Sequence, residues 1–241
     1  MATLPPPVQI VQALSRAVDQ LAFGPPVTHW YNPLDYAWDA HRQYLERYAG
    51  GRKEIFFMGM NPGPWGMTQT GVPFGEIALV RDWLGISAPV RKPALEHPKR
   101  LITGFSCTRS EVSGARFWGW ARDRWGTPER FFARCYVHNY CPLTFMEASG
   151  SNFTPNRLPK SEREPLLAAC SAGLRAMVEY QQPAVLAGIG EFAEKRLREV
   201  FPDFAGTIVR LPHPSPASPA ANRNWAGAAD AALAKAGIVI P

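Results

Sequence analysis

Short apolar runs alternate with amphipathic stretches along this chain, and the spacing within each predicts an element. Residues 8–23 place Ile10, Val11, Leu14, Val18 and Leu21 on one side at helical spacing. A second helix opens at Asn32 as its cap, with Pro33 behind it, and runs to about residue 48. Residues 54–60 form an apolar run of strand length that empties into a Gly- and Pro-rich stretch over 61–75. Helical patterns follow at 76–84 and 110–125, the second carrying Phe117, Trp118, Trp120 and Trp125. Residues 134–138 are a second strand candidate, closed by Asn139-Tyr140-Cys141-Pro142-Leu143. Ser161 with Glu164 resembles a capping box for a helix to about residue 181. A third strand at 183–189 precedes a helix at 191–200. A fourth at 207–211 runs into Pro212-His213-Pro214-Ser215-Pro216, and a last helix follows Ser218-Pro219 to near residue 235.

Strands alternating with helices predict an α/β fold: a central, mostly parallel four-stranded sheet flanked by helices on both faces. Residues 1–241 are expected to form one domain, with a loose, Pro-rich N-terminus over 1–7. Such folds bind ligands outside the carboxyl ends of their strands. Three of the strands end in polar, Pro-rich loops, after Met60, His138 and Leu211, so these loops are expected to converge on one cleft.

Composition narrows the class. Of 241 residues, 46% are hydrophobic and 19% charged, ordinary for a folded domain, and 24 Pro with 20 Gly indicate ordered loops. No apolar run approaches the ~20 residues that cross a bilayer, and the N-terminus lacks a basic segment followed by an apolar one. The expectation is an intracellular protein without membrane contact, in the cytoplasm with the nucleoid if bacterial and in the nucleus if eukaryotic. The 26 Lys and Arg exceed the 20 Asp and Glu, a net charge of +6 that permits phosphate binding without demanding it. Cys107, Cys135, Cys141 and Cys170 form no C-x-x-C pair. Reduced, buried thiols are expected rather than a metal site, and neither metal nor organic cofactor is expected.

The loop from Gly59 to Glu76 reads Gly-Met-Asn-Pro-Gly-Pro-Trp-Gly-Met-Thr-Gln-Thr-Gly-Val-Pro-Phe-Gly-Glu. Prolines fix φ and glycines permit close backbone approach, which suits a stiff loop pressed against a flat ligand. This stretch, continued to Gly85, resembles the first signature of the single-strand-selective monofunctional uracil-DNA glycosylase family. Val137-His138-Asn139-Tyr140-Cys141-Pro142-Leu143 resembles its base-reading segment, and Leu211-Pro212-His213-Pro214-Ser215-Pro216 its last signature. The three motifs stand in the family's order across most of the chain. The first 25 residues and much of 87–130 add little.

The resemblance implies base excision from DNA, as in DNA repair, and a role for each residue. Asn61, whose carboxamide is not basic near neutral pH, orients the attacking water by hydrogen bonding. His213 donates a hydrogen bond to uracil O2 as charge develops there. Asn139 reads the base edge: its NH₂ donates to O4 while its C=O accepts from N3–H, and cytosine presents the opposite pair. Phe74 offers a ring on which an extruded base stacks. Gly63 lies beside the C5 edge, and the backbone amides of Met60 and Gly63 contribute hydrogen bonds. The family accepts 5-hydroxymethyluracil while discriminating against thymine.

The segment Pro214, Ser215, Pro216 and Ala217 is expected to enter the DNA behind the flipped nucleotide. The family often carries arginine at this wedge, where this chain has Ala217; Arg223, near Asn222 and Asn224, is the candidate substitute. Lys99, Arg100, Arg109 and Arg116 are candidate phosphate contacts. No Lys sits in the motifs as a Schiff-base nucleophile, so hydrolysis without strand cleavage is expected, by a monomer acting on single- or double-stranded DNA. Two other readings stay open at this level: an α/β hydrolase or transferase acting on free nucleosides, and a module that holds single strands without cutting.

Overall fold

The computed structural model describes residues 4–241. Met1 to Thr3, the first part of the expected loose N-terminus, lie outside the described residues. Helix α1 spans Pro6–Asp19, so Pro6 and Pro7 belong to a helix rather than to a loose tail. The reason is local: the first turn has no intrahelical use for its N–H groups, and proline's φ is already helical. Val8, Val11, Leu14 and Val18 are buried along one face.

Strand β1, Val27–Tyr31, precedes α2, Pro33–Tyr36. Asn32 caps α2 as expected, its side chain accepting from the Leu34 N–H at 3.1 Å. The predicted single helix is broken at Ala37, whose φ of −105° and ψ of 24° leave the helical region, and α3 restarts at Trp38–Tyr48. Strand β2 is Ile55–Gly59, and the short α4 is Met67–Thr70. The helix expected at 76–84 is present over 77–83, with π character over Leu79–Trp83. Helix α5, Val112–Trp125, leads through Gly126 and the cap Thr127 into α6, Pro128–Arg134.

Strand β3, Cys135–Asn139, is followed by β4, Thr144–Glu147, and β5, Asn152–Phe153. Helix α7 runs Lys160–Gln181 behind Pro159. The expected capping box is therefore absent. Ser161 is already inside the first turn, and Glu164 instead approaches Lys160 at 3.5 Å. Strand β6, Val185–Ile189, α8, Glu191–Val200, β7, Thr207–Leu211, and α9, Pro219–Lys235, complete the chain. Helix α9 is kinked at Asn224, where φ is −163° and ψ 85°.

The main sheet has four parallel strands in the order β3-β2-β6-β7. β2, β3 and β6 are buried along their whole length, as a sheet covered on both faces requires. On one face, Phe57 packs against Phe117 and Trp120 of α5 and Phe131 of α6, with ring centroids 5.6 to 6.1 Å apart. On the other, Tyr136 stacks on Tyr44 of α3 at 5.7 Å. A second, antiparallel sheet, β1-β4-β5, lies outside the sequence expectation. The chain order reverses between β2 and β6, and at that switch point an open α/β sheet forms a crevice beyond its carboxyl edge.

Candidate active site

The loops leaving β2, β3 and β7 meet over that crevice. They enclose a cavity of about 190 Å³ lined by Asn61, Phe74, Asn139 and His213. That volume is below the ~300–1,000 Å³ of clefts for drug-sized ligands, and suits one small planar group. Met60, Gly63 and Ser215 also line it. Pro214 is buried beneath the loop, whereas Pro216, Ala217 and Arg223 are exposed outside the cavity.

Each polar side chain is oriented by a second contact. Asn61 Nδ2 donates to the Leu143 carbonyl at 3.2 Å, which leaves Oδ1 as the free, accepting end of the amide. The Ser215 backbone N–H donates to His213 Nδ1 at 3.1 Å. This bond assigns the proton of a neutral ring to Nε2, making that nitrogen a donor. Burial lowers the pKa of His213 below the usual imidazole value, which favours the neutral ring. Asn139 is buried at the end of β3, its Nδ2 3.2 Å from the Met67 sulfur.

Phe74 sits at φ 54°, a left-handed backbone that a non-glycine residue adopts only where its surroundings impose it. Its ring stacks on Phe117 of α5 at 5.1 Å and 23°. Trp118 Nε1 donates to the Pro73 carbonyl at 3.1 Å, tying the same turn to the helix. A Cβ on Gly59 would lie 2.5 Å from Asn139 Oδ1 and 2.7 Å from the Phe74 ring, so only glycine lets these two groups face each other over β2.

Sequence reading missed several residues here. Glu111, just ahead of α5, lines the cavity and accepts the Trp65 N–H at 3.3 Å, and burial raises its pKa. Its carboxyl packs so closely on Gly63 that any Cβ there would displace it. Ser113 and Asn152 also reach the cavity; Asn152 begins β5, a strand too short to show in the sequence pattern. Gly190 has φ 87°, and a Cβ on it would meet the His213 ring at 3.2 Å. Its place one residue past β6, at the same sheet edge, was the available signal.

Arg116 departs from its expected role as a phosphate contact. Its guanidinium donates to the Pro214 carbonyl at 2.7 Å and to Asn222 Oδ1 at 3.0 Å. Asn222 Nδ2 in turn donates to the Pro216 carbonyl at 2.8 Å, and Trp225 Nε1 to that of Pro212, also at 2.8 Å. These bonds fix the His213 loop between α5 and α9. Arg223 is exposed on the turn of α9 that precedes the kink. The four cysteines are unpaired; three are buried and Cys107 is half-buried. Among the described residues no three His, Cys, Asp or Glu side chains come together as metal ligands, and no helix is long and apolar enough to cross a membrane.

The sequence profile of the uracil DNA glycosylase superfamily matches residues 47–235. The chain is 49% identical over 228 residues to the single-strand selective monofunctional uracil DNA glycosylase of Mus musculus, covering 94% of this chain and 82% of the mouse protein. The Bos taurus protein of the same name is 48% identical over 228 residues, 94% of this chain and 84% of its own length. Among solved structures, the crystal structure of wild-type SMUG2 from Pedobacter heparinus superposes with a TM-score of 0.65 at 18% identity, covering 94% of this chain and 96% of that one. That likeness shows the α/β fold. With the family's motifs gathered on one cavity and these relatives matched over nearly the whole chain, the protein belongs to the single-strand-selective monofunctional family of the uracil-DNA glycosylase superfamily.

Proposed function

We propose that this chain hydrolyses the N-glycosidic bond joining uracil to deoxyribose in DNA, leaving an abasic site. The supporting observation is the convergence of Asn61, Phe74, Asn139 and His213, 152 positions apart at the extremes (213 minus 61), on one small cavity. In this reading an extruded uracil stacks on Phe74. The Asn139 amide pairs with O4 and N3–H, and the backbone amides of Met60 and Gly63 complete the cradle. Asn61 Oδ1 accepts a hydrogen bond from the water that attacks C1′. His213 Nε2–H donates to O2 as the base leaves with negative charge. A neutral imidazole donor acts mainly on the developing anion, so it raises the chemical rate more than ground-state affinity.

Pro214, Ser215, Pro216 and Ala217 lie against the DNA, with Arg223 filling the place that Ala217 leaves without a long side chain. The chain works as one domain and as a monomer in an intracellular DNA compartment, and it accepts 5-hydroxymethyluracil as well as uracil.

The test is release of uracil from a labelled oligonucleotide, read as strand scission after hot alkali. Asn61→Ala and His213→Ala are each expected to slow single-turnover release by about 10²–10³-fold, the range for losing one preorganised transition-state contact, while DNA binding persists. Wild-type rates in both variants would refute the assignment.

A further inference from the structure

Beside the base cavity, two guanidinium groups share one aromatic ring. Arg100 Cζ lies 5.0 Å and Arg109 Cζ 4.5 Å from the ring centroid of Trp65. Neither arginine forms an ion pair among the described residues. Several other arginines are ion-paired, among them Arg42 with Glu46, Arg91 with Asp35, Arg134 with Glu54 and Arg198 with Glu194.

The ring is coupled to the cavity through the backbone. Pro64 lines the cavity, and the Trp65 N–H donates to Glu111, which lines it too. Arg100 is fixed from two sides: its Nε donates to the Gly150 carbonyl at 2.7 Å, and its own carbonyl accepts from Tyr31 at 3.0 Å. Gln69 ties the two loops together, donating to the Leu101 carbonyl at 3.0 Å and accepting from the Thr103 N–H at 2.9 Å.

A guanidinium stacked on a ring keeps its N–H groups at the edge, where a planar fork binds two oxygens of a phosphodiester. Two cations gathered on one ring repel each other, and a bound anion relieves that repulsion. From this geometry we infer that Trp65, Arg100 and Arg109 form a clamp for a backbone phosphate of the DNA strand flanking the extruded nucleotide. The inference rests on the proposed glycosylase reading for the identity of the strand. The clamp grips one strand only, so it serves single-stranded and duplex DNA alike.

The experiment measures affinity for a short single strand bearing a stable abasic-site analogue, as a function of salt. Each phosphate contact on a single strand contributes about 0.7 to the slope of log affinity against log salt. Arg109→Gln is expected to lower that slope by about 0.7, and Trp65→Leu to lower it as well because the guanidiniums lose their platform. Arg42→Gln, a paired arginine of α3, is the control with an unchanged slope. Replacing single phosphates by neutral methylphosphonates then locates the contact: one position next to the analogue weakens the wild type but not Arg109→Gln.

Thermal unfolding checks that Trp65→Leu folds, and Arg109 is exposed, so its variant does not depend on that check. An unchanged slope in Arg109→Gln, or equal loss from methylphosphonates in both proteins, overturns the clamp. Because binding is read on a strand without uracil, the slopes test the clamp independently of base release. If the wild type fails to release uracil the glycosylase reading falls, whichever way the slopes come out.

Discussion

At Gly59 a methyl group would lie 2.5 Å from Asn139 Oδ1 and 2.7 Å from two carbons of the Phe74 ring, distances at which something must move. The neighbours are the Asn139 amide and the Phe74 ring, both lining the cavity, so movement there alters the cavity before it alters the core. Gly59→Ala is therefore expected to cost about 1–3 kcal/mol of stability, as overpacking does, but about 10²-fold in single-turnover uracil release, as displacement of positioned groups by an ångström does. Comparing thermal unfolding with release rate separates the two; a stability loss with an unchanged rate would show that the cavity tolerates the shift. The same logic applies at Gly190, where φ of 87° adds backbone strain to the contact with His213. Glycine in this site is a spacing device. The polar residues were legible in the sequence because they stand in motifs, whereas Gly190 and Glu111 act on side chains brought to them from elsewhere in the chain, which no local pattern records.

Between elements, the His213 loop is held by a bracket: Arg116 of α5 bonds Pro214 and Asn222, and Asn222 of α9 bonds Pro216. Arg116→Ala removes two of these three bonds without opening the core, since the guanidinium lies at the surface end of the contact. The expected result is lower affinity for uracil-containing DNA and a slower release rate, with faster amide exchange at Ser215 and Ala217 and a change in unfolding free energy of about 1–2 kcal/mol. Unchanged exchange in that loop would mean that Asn222 and Trp225 secure it without Arg116. The parallel strands of the main sheet were readable as short, largely apolar runs, and the longer helices as amphipathic stretches between them. The antiparallel sheet was not, because β5 has two residues and β1 buries only its ends, leaving no alternation to detect. Helix α6 was hidden for a related reason, being seven residues between a cap and a strand. The break at Ala37 is a tertiary outcome: Tyr36 donates to the Thr68 carbonyl at 2.6 Å, a contact that the local sequence does not announce.

At the scale of the whole molecule, the buried imidazoles of His41 and His138 tie folding to pH. His41 Nδ1 donates to the Gly71 carbonyl at 2.6 Å, so its Nε2 is the unprotonated nitrogen and has no partner. His138 packs against Phe56 and Tyr136, and its Nε2 is also unpartnered. Burial lowers His41 to about 4, and burial together with His41 lowers His138 to about 3, both from an ordinary 6.5. The unfolded chain thus binds protons at these sites first as pH falls, and stability declines from about 6.5 downwards until the folded-state values are reached. At ~1.4 kcal/mol per pH unit and site, the loss is about 2 kcal/mol for each ring at pH 5. That onset lies above the range in which ordinary carboxylates protonate, so the histidine contribution is separable from general acid unfolding. His138→Phe keeps the ring's shape and removes a buried polar atom without a partner, a change expected to be neutral or stabilising at pH 7.5. It is also expected to remove about 2 kcal/mol of the stability lost between pH 7.5 and 5, measured by denaturant unfolding at the two pH values. An equal loss in variant and wild type would mean that His138 takes up its proton as readily in the folded protein as in the unfolded chain, and that the acid sensitivity arises elsewhere.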